Sequence, residues 1–260
     1  MQRMLHLVKY LMRSYPSIFN PLWSRAYFLI VRSHEKYLYP GNEYTNRFEA
    51  FQTIYDENRW GSPESRSGYG STLAYTKALR KSLERFLAKR DVKIVLDAPC
   101  GDFNWMRHVT LPLQTQYIGG DIIPELVDNL QNTYGGDKYS FRMIDIVTSP
   151  IPPADLWLCR DVLFHLPNAD IETVLTNFAE SAIPYLLTTT YDFPKKNIDV
   201  KAGGFRFINL RLSPFGLPRP LSRIPDFIAP EPPRYLALWS QKQVASTLQR
   251  IRSRNDAHRG

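Results

Sequence analysis

Two hydrophobic patterns alternate along the middle of the chain. Leu79, Leu83, Phe86 and Leu87 form one stripe with Lys and Arg opposite, which predicts an amphipathic helix running from Ser71 to just before 93. The run Lys93-Ile94-Val95-Leu96-Asp97 is short, apolar and closed by an acid, and so predicts a buried strand. A second strand is predicted over 116–120, and Pro124 then opens a helix that carries Leu126, Val127 and Leu130 and closes near Gly135 and Gly136. Phe141 to Ile144 predicts a third strand ending at Asp145, and Leu156 to Cys159 a fourth. Ile171, Val174, Leu175 and Phe178 have helical spacing, and Tyr185 to Thr189 predicts a fifth strand. Strand alternating with helix over this length predicts an α/β domain, a mostly parallel sheet with helices on both faces.

Beyond Thr190 the alternation stops. Phe205 to Leu210 and Tyr235 to Trp239 predict two further strands, which bring the sheet to seven, and the prolines between 214 and 233 predict a long connecting loop. Residues 35–70 show no clear period and are expected to form an irregular lead-in. At the N-terminus Met4, Leu5, Val8, Leu11 and Met12 share one helical face while Arg3, Lys9 and Arg13 lie elsewhere, the pattern of a basic amphipathic helix. The expected organisation is a helical extension and lead-in over 1–70, a main domain over 71–250 and a basic tail over 251–260.

Charge sharpens this division. The net charge is +8 over 260 residues, yet residues 1–40 hold six Lys/Arg against Glu35 alone, and residues 241–260 hold five against Asp256. The middle is therefore close to neutral, which argues against a nucleic-acid grip across an active face. The basic N-terminal face either packs on the fold or on a dimer partner, or associates weakly with an anionic membrane surface. No apolar run is long enough to span a bilayer. Cys100 and Cys159, the only cysteines, form no metal-ligand spacing and are expected to be small packing residues in a reducing compartment. The expected location is cytoplasmic, with peripheral association at the inner face of the membrane as the alternative.

The candidate chemistry lies at the strand ends. Val95-Leu96-Asp97-Ala98-Pro99-Cys100-Gly101 and Tyr117-Ile118-Gly119-Gly120-Asp121 are strands that end in carboxylates, the positions from which a doubly wound sheet reaches a nucleotide-like cofactor and its ribose. With Asp145 after the third strand and Cys159-Arg160-Asp161-Val162-Leu163-Phe164-His165-Leu166 after the fourth, the chain resembles the class I S-adenosylmethionine-dependent methyltransferases over roughly 71–250. That resemblance implies a Rossmann-like seven-stranded sheet and S-adenosyl-L-methionine as cofactor. It also implies that Asp97, Ala98, Pro99, Cys100 and Gly101 form the first loop, and that Asp121 with Ile122 faces the ribose. Asp145 with Ile146 would face the adenine, and Arg160 would border the pocket. The family's glycine-rich loop survives only at Gly101, because Pro99 and Phe103 stand at the other glycine positions. Pro99 has no N–H to offer, so the side chains of Asp102 and Asn104, or the segment Trp60 to Ser71 folded over the pocket, are expected to compensate.

His165, just past the fourth strand, is the candidate general base for a hydroxyl acceptor, with Asp161 as a second base or as the group that orients it. A packed histidine in a helix start remains the alternative. Trp60, Tyr191, Arg206 and Asn209 are the candidate acceptor contacts. Gly203-Gly204-Phe205-Arg206-Phe207-Ile208-Asn209-Leu210, followed by Pro214 to Pro218, resembles segments of bacterial methyltransferases from surface-polysaccharide and glycolipid pathways, which implies O-methylation of a saccharide or glycolipid. Methylation of an amine on a protein or small molecule is the competing reading, and no metal is expected.

Overall fold

A computed structural model describes residues 41–228 and 231–257; the predicted basic helix near residues 1–13 lies outside them. The chain runs α1 (Arg47–Asp56), α2 (Leu73–Ala88), β1 (Ile94–Asp97), β2 (Gln116–Asp121), α3 (Pro124–Tyr134), β3 (Tyr139–Met143), β4 (Leu156–Cys159), α4 (Asn168–Glu180), β5 (Tyr185–Tyr191), β6 (Ser222–Pro225), β7 (Arg234–Ser240) and α5 (Gln241–Ala257). The strands form one seven-stranded sheet in the order β3-β2-β1-β4-β5-β7-β6. Strands β1 to β5 are parallel, and β7 runs antiparallel to both β5 and β6.

Period-two alternation divides the central strands between two cores. Leu96, Trp157, Leu186, Ala237 and Trp239 pack with Ile171, Val174, Leu175 and Phe178 of α4 and Val244 of α5. Their neighbours Val95, Leu156, Leu158, Leu187, Leu236 and Leu238 pack with Leu79, Leu83, Phe86 and Leu87 of α2 and Leu126, Val127 and Leu130 of α3. Strands apolar on both faces thus require helices on both faces, as the pattern predicts. Local signals start the helices where they are found: Thr72 accepts the Tyr75 N–H at 3.3 Å as N-cap of α2, and Pro124 sits in the first turn of α3.

The structure corrects the sequence reading in four places. Phe205 to Leu210 is not a strand. β7 already pairs with β5 along its whole length, from Tyr185↔Ser240 to Tyr191↔Arg234, so the run docks at the end of β5, where the Tyr191 N–H donates to Ile208 O at 2.8 Å. The seventh strand is β6, drawn from the proline-rich stretch expected to be a loop; its edge position tolerates Pro225. The lead-in is not wholly irregular either, because α1 forms there with only Ala50 and Ile54 buried, too few positions to announce a period. Finally, the boundary expected at 250 falls inside α5.

Candidate functional site

The carboxyl ends of β1 to β4 open onto a cavity of about 910 Å³, at the point where the chain, having built outward from β1 to β3, returns to lay β4 on the other side of β1 and the strand order reverses. Asp97, Pro99, Cys100, Gly101, Asp121, Ile122, Asp145, Ile146, Arg160, Asp161, His165, Trp60 and Tyr191 all line it. Ala98 is fully buried behind the wall, where its carbonyl accepts the Trp157 indole N–H at 2.9 Å.

On the β1–β2 side the site is built from buried carboxyls and backbone N–H groups. Asp121 is held by the N–H groups of Gly101 at 2.9 Å and Ile123 at 3.3 Å, and no cationic side chain among the described residues pairs with it. Burial pushes its pKa up to about 6, against those bonds. Asp97 accepts the Tyr117 hydroxyl at 2.7 Å, and burial takes it up to about 7. Gly101 has φ +55°, and a Cβ there would run into the Ser67 hydroxyl, so the loop admits only glycine at its tightest approach. Burial also raises the thiols, Cys159 to about 12 and Cys100 well above its ordinary value, which keeps both protonated and inert near neutrality.

Asp102 and Asn104 do not form part of the cavity wall. Asp102 accepts hydrogen bonds from the Ser65 hydroxyl (3.0 Å), the Arg66 N–H (2.8 Å) and the Ser67 hydroxyl (3.1 Å). Asn104 donates to Glu64 at 2.9 Å and to Ser71 O at 3.1 Å. Their work is to strap the segment after Trp60 across the cavity, and Ser67, Gly68, Tyr69 and Gly70 of that segment line it. The two alternatives read from the sequence are therefore one device.

Asp145 faces the cavity with its carboxylate already engaged. It accepts from Arg47 at 2.7 Å, the Val147 N–H at 3.0 Å and the Thr148 hydroxyl at 2.8 Å. Burial alone would raise its pKa, and these partners outweigh burial and hold it below the usual range. Ile146 supplies an apolar surface beside it.

At the end of β4 four charges are packed together. Arg160 donates to both oxygens of Asp226 at 2.9 and 3.0 Å and to Gly70 O at 2.8 Å. Arg234 donates to Asp226 O at 2.8 Å, and its Nη2 lies 2.7 Å from Asp161, an ion contact off the hydrogen-bond direction. Asp161 adopts φ +57°, which an Asp tolerates better than most residues, and the Thr189 hydroxyl fixes its other oxygen at 3.0 Å. Thus Asp161 orients Arg234 and does not bond His165.

His165 is oriented by Gly204. Because a carbonyl can only accept, the 2.5 Å contact to Gly204 O places the proton on Nδ1 and leaves Nε2 with its lone pair. Nε2 takes no hydrogen bond from the described residues. Burial lowers its pKa to about 4, opposed by the Gly204 bond and reinforced by the charges of Arg206 and Arg234, so the ring is neutral near pH 7.

Arg206 and Asn209, expected as acceptor contacts, lie behind the wall. Arg206 is 1% exposed and donates to Leu163 O at 2.9 Å and Asn168 at 3.1 Å. Asn209 accepts the Arg211 N–H at 3.0 Å and donates to Asp192 O at 3.4 Å. Both fix the chain that carries Phe205 and Phe207. Sequence reasoning missed Arg47, Trp105, Asp226 and Arg234. The start of a last, antiparallel strand necessarily falls at the edge where the other strands end, and that signal alone pointed to Arg234.

No family model matches the sequence, and no curated protein matches it. Solved structures share the fold. The N-methyltransferase NodS from Bradyrhizobium japonicum, in complex with S-adenosyl-L-homocysteine, superposes with TM-score 0.53 at 15% identity over 74% of this chain and 97% of that one. PigF with S-adenosyl-L-homocysteine gives 0.53 at 14% identity, over 88% and 72%. Magnesium protoporphyrin IX methyltransferase from Synechocystis, with S-adenosyl-L-homocysteine bound, gives 0.50 at 12% identity, over 82% and 99%. The class defined is thus the Rossmann-like methyltransferase fold, in chains that share few residues with this one.

Proposed function

We propose that this protein is an S-adenosylmethionine-dependent methyltransferase that modifies a hydroxyl group. The observation that carries the reading is the pairing of two environments in one cavity: the buried carboxyl of Asp121 beside the Gly101 turn, paired with no cation among the described residues, and His165, whose tautomer is fixed so that Nε2 keeps its lone pair. The donor set fits the cofactor. Asp121 offers acceptors suited to a ribose diol, Asp97 a carboxyl suited to an ammonium, Ile122 and Ile146 apolar contact for a purine, and the 60–71 strap a cover that excludes water. When bound, S-adenosylmethionine supplies a sulfonium methyl whose C–S bond breaks with both electrons left on sulfur.

The chain's own residues do the rest. The strap and the loop at Gly101 hold one reactant and the rings near His165 the other, and alignment of this kind accounts for most of the acceleration in a displacement. His165 Nε2 accepts the hydroxyl proton while Gly204 holds the imidazole in place. The saccharide or glycolipid acceptor implied by resemblance keeps its aromatic platforms, Trp60 and Phe205, but Arg206 and Asn209 serve the chain's own backbone.

Calorimetric titration with S-adenosyl-L-homocysteine is the test. Binding is expected, weakened by about 1.5–3 kcal/mol in Asp121→Ala, the range for a hydrogen bond to a charged group. Unchanged affinity in that variant would remove Asp121 from the reading, and no binding at all would end it.

A further inference from the structure

The cavity wall beyond β4 is made of rings. Trp60 and His165 lie with centroids 5.4 Å apart and planes 33° from parallel. Phe164 meets His165 edge-on at 4.5 Å, and Phe205 lies 5.8 Å from the imidazole. Phe205 meets Phe207 at 5.3 Å, and Phe207 meets Tyr191 at 5.0 Å. All of these side chains line the cavity.

Such a wall fits three kinds of guest, and its surroundings choose among them. Ring faces hold an ammonium when no like charge is near, but here Arg206, buried and without a carboxylate ion pair among the described residues, stands close enough to act on His165 and opposes a second cation beside it. A saccharide needs polar partners around its rim. Arg234 is engaged by Asp161 and Asp226, Arg59 beside Trp60 is engaged by Glu57 and the Tyr44 hydroxyl, and Arg206 and Asn209 lie outside the cavity. A flat apolar body with one polar edge needs what is present: ring faces along its length and Nε2 at one end.

We propose, on the methyl-transfer reading above, that the acceptor is an uncharged planar aromatic molecule lying along Trp60, Phe205 and Phe207, with the reacting hydroxyl borne directly on the ring. The acidity of the hydroxyl supports this placement. A base lowered to about 4 faces a gap of about six units to a phenol near 10 and roughly twice that to an alkyl hydroxyl resembling bulk water, about 15.7. In the transfer the O–H proton goes to His165 Nε2 and an oxygen electron pair forms the O–CH3 bond. The S–CH3 pair stays on sulfur, so the sulfonium charge reappears on the imidazolium.

The experiment titrates 2-naphthol, methyl α-D-glucopyranoside and benzyltrimethylammonium into the full chain, with and without saturating S-adenosyl-L-homocysteine, following the heat of binding. 2-Naphthol is expected to bind more tightly than the other two and to weaken roughly tenfold in Phe205→Ala, as the loss of a ring contact implies. Phe205→Leu, which removes the ring but keeps a large apolar side chain, and Trp60→Ala, at the rim with 36% exposure, guard against a variant that fails to fold. Glucoside or ammonium binding as tight as naphthol, or naphthol binding indifferent to these substitutions, overturns the proposal. Absence of S-adenosyl-L-homocysteine binding overturns the methyl-transfer reading instead, and the naphthol comparison without it is scored separately.

Discussion

His165 is a weak base held ready, and that fixes what its pH dependence must be. With its pKa down to about 4, turnover at saturating cofactor falls only as pH drops toward 4, when Nε2 takes up a proton. An unshifted histidine would halve the rate near about 6.5. A kcat profile flat from pH 5.5 to 8 is therefore expected. His165→Ala should lose roughly 10²- to 10⁴-fold in turnover while keeping cofactor affinity; near-normal turnover in that variant would retire the general-base role. Asp97 and Asp121 carry the opposite shift, raised to about 7 and about 6. Folded, they keep protons that the unfolded chain has released, so their share of stability is full below the ordinary 3.8 and is lost as pH rises through 6 to 7. A ligand ammonium favours the ionised forms. Affinity for S-adenosyl-L-homocysteine should rise between pH 5 and 8, with proton release near pH 6.5 seen as a buffer-dependent heat, and a flat affinity would detach Asp97 from the ligand.

At the scale of elements the strap is the feature with most to lose from one substitution. Asp102→Ala removes the acceptor for Ser65, Arg66 and Ser67, a local loss of about 1.5–3 kcal/mol by the usual value for bonds to a charged group. Faster amide exchange over 62–71, with α2 and α3 unchanged, is the expected outcome in hydrogen-exchange mass spectrometry, and Asp102→Asn should recover part of the protection. Exchange unaltered by Asp102→Ala would show the strap to be held elsewhere. This device also marks where the sequence stops being legible. Strand ends and their acids were readable because an apolar run and its terminating carboxylate are local. The partner of a carboxylate is not local: Asp102 binds residues more than thirty positions back, and Asp145 meets Arg47 across 98 positions. Phe205 to Leu210 misled for a related reason, since an apolar run buried as a docked loop has the composition of a strand.

Across the whole molecule, two apolar cores sandwich the sheet, and a charge quartet bridges β4, the segment after β6 and the start of β7. Asp226 is 1% exposed and touches both Arg160 and Arg234. Burial alone would raise its pKa, and the two guanidiniums outweigh that and hold it down. Asp226→Ala leaves two buried cations with one carboxylate between them, and about 3–5 kcal/mol of stability should go with it. Urea denaturation measures this, and a loss below about 1 kcal/mol would mean that water reaches the arginines. The same quartet sets a timetable for synthesis. Because β7 runs backwards through the sheet, Arg234 is delivered opposite Tyr191 only when the final strand pairs. A nascent chain that has left the ribosome through β5 already owns the Gly101 turn, Asp121 and His165, yet its β5 edge is bare and Arg160 lacks its buried partner. Among the described strands β7 is the last to emerge, so Arg234 can join the cavity wall only after the ends of β1 to β5 exist to receive it.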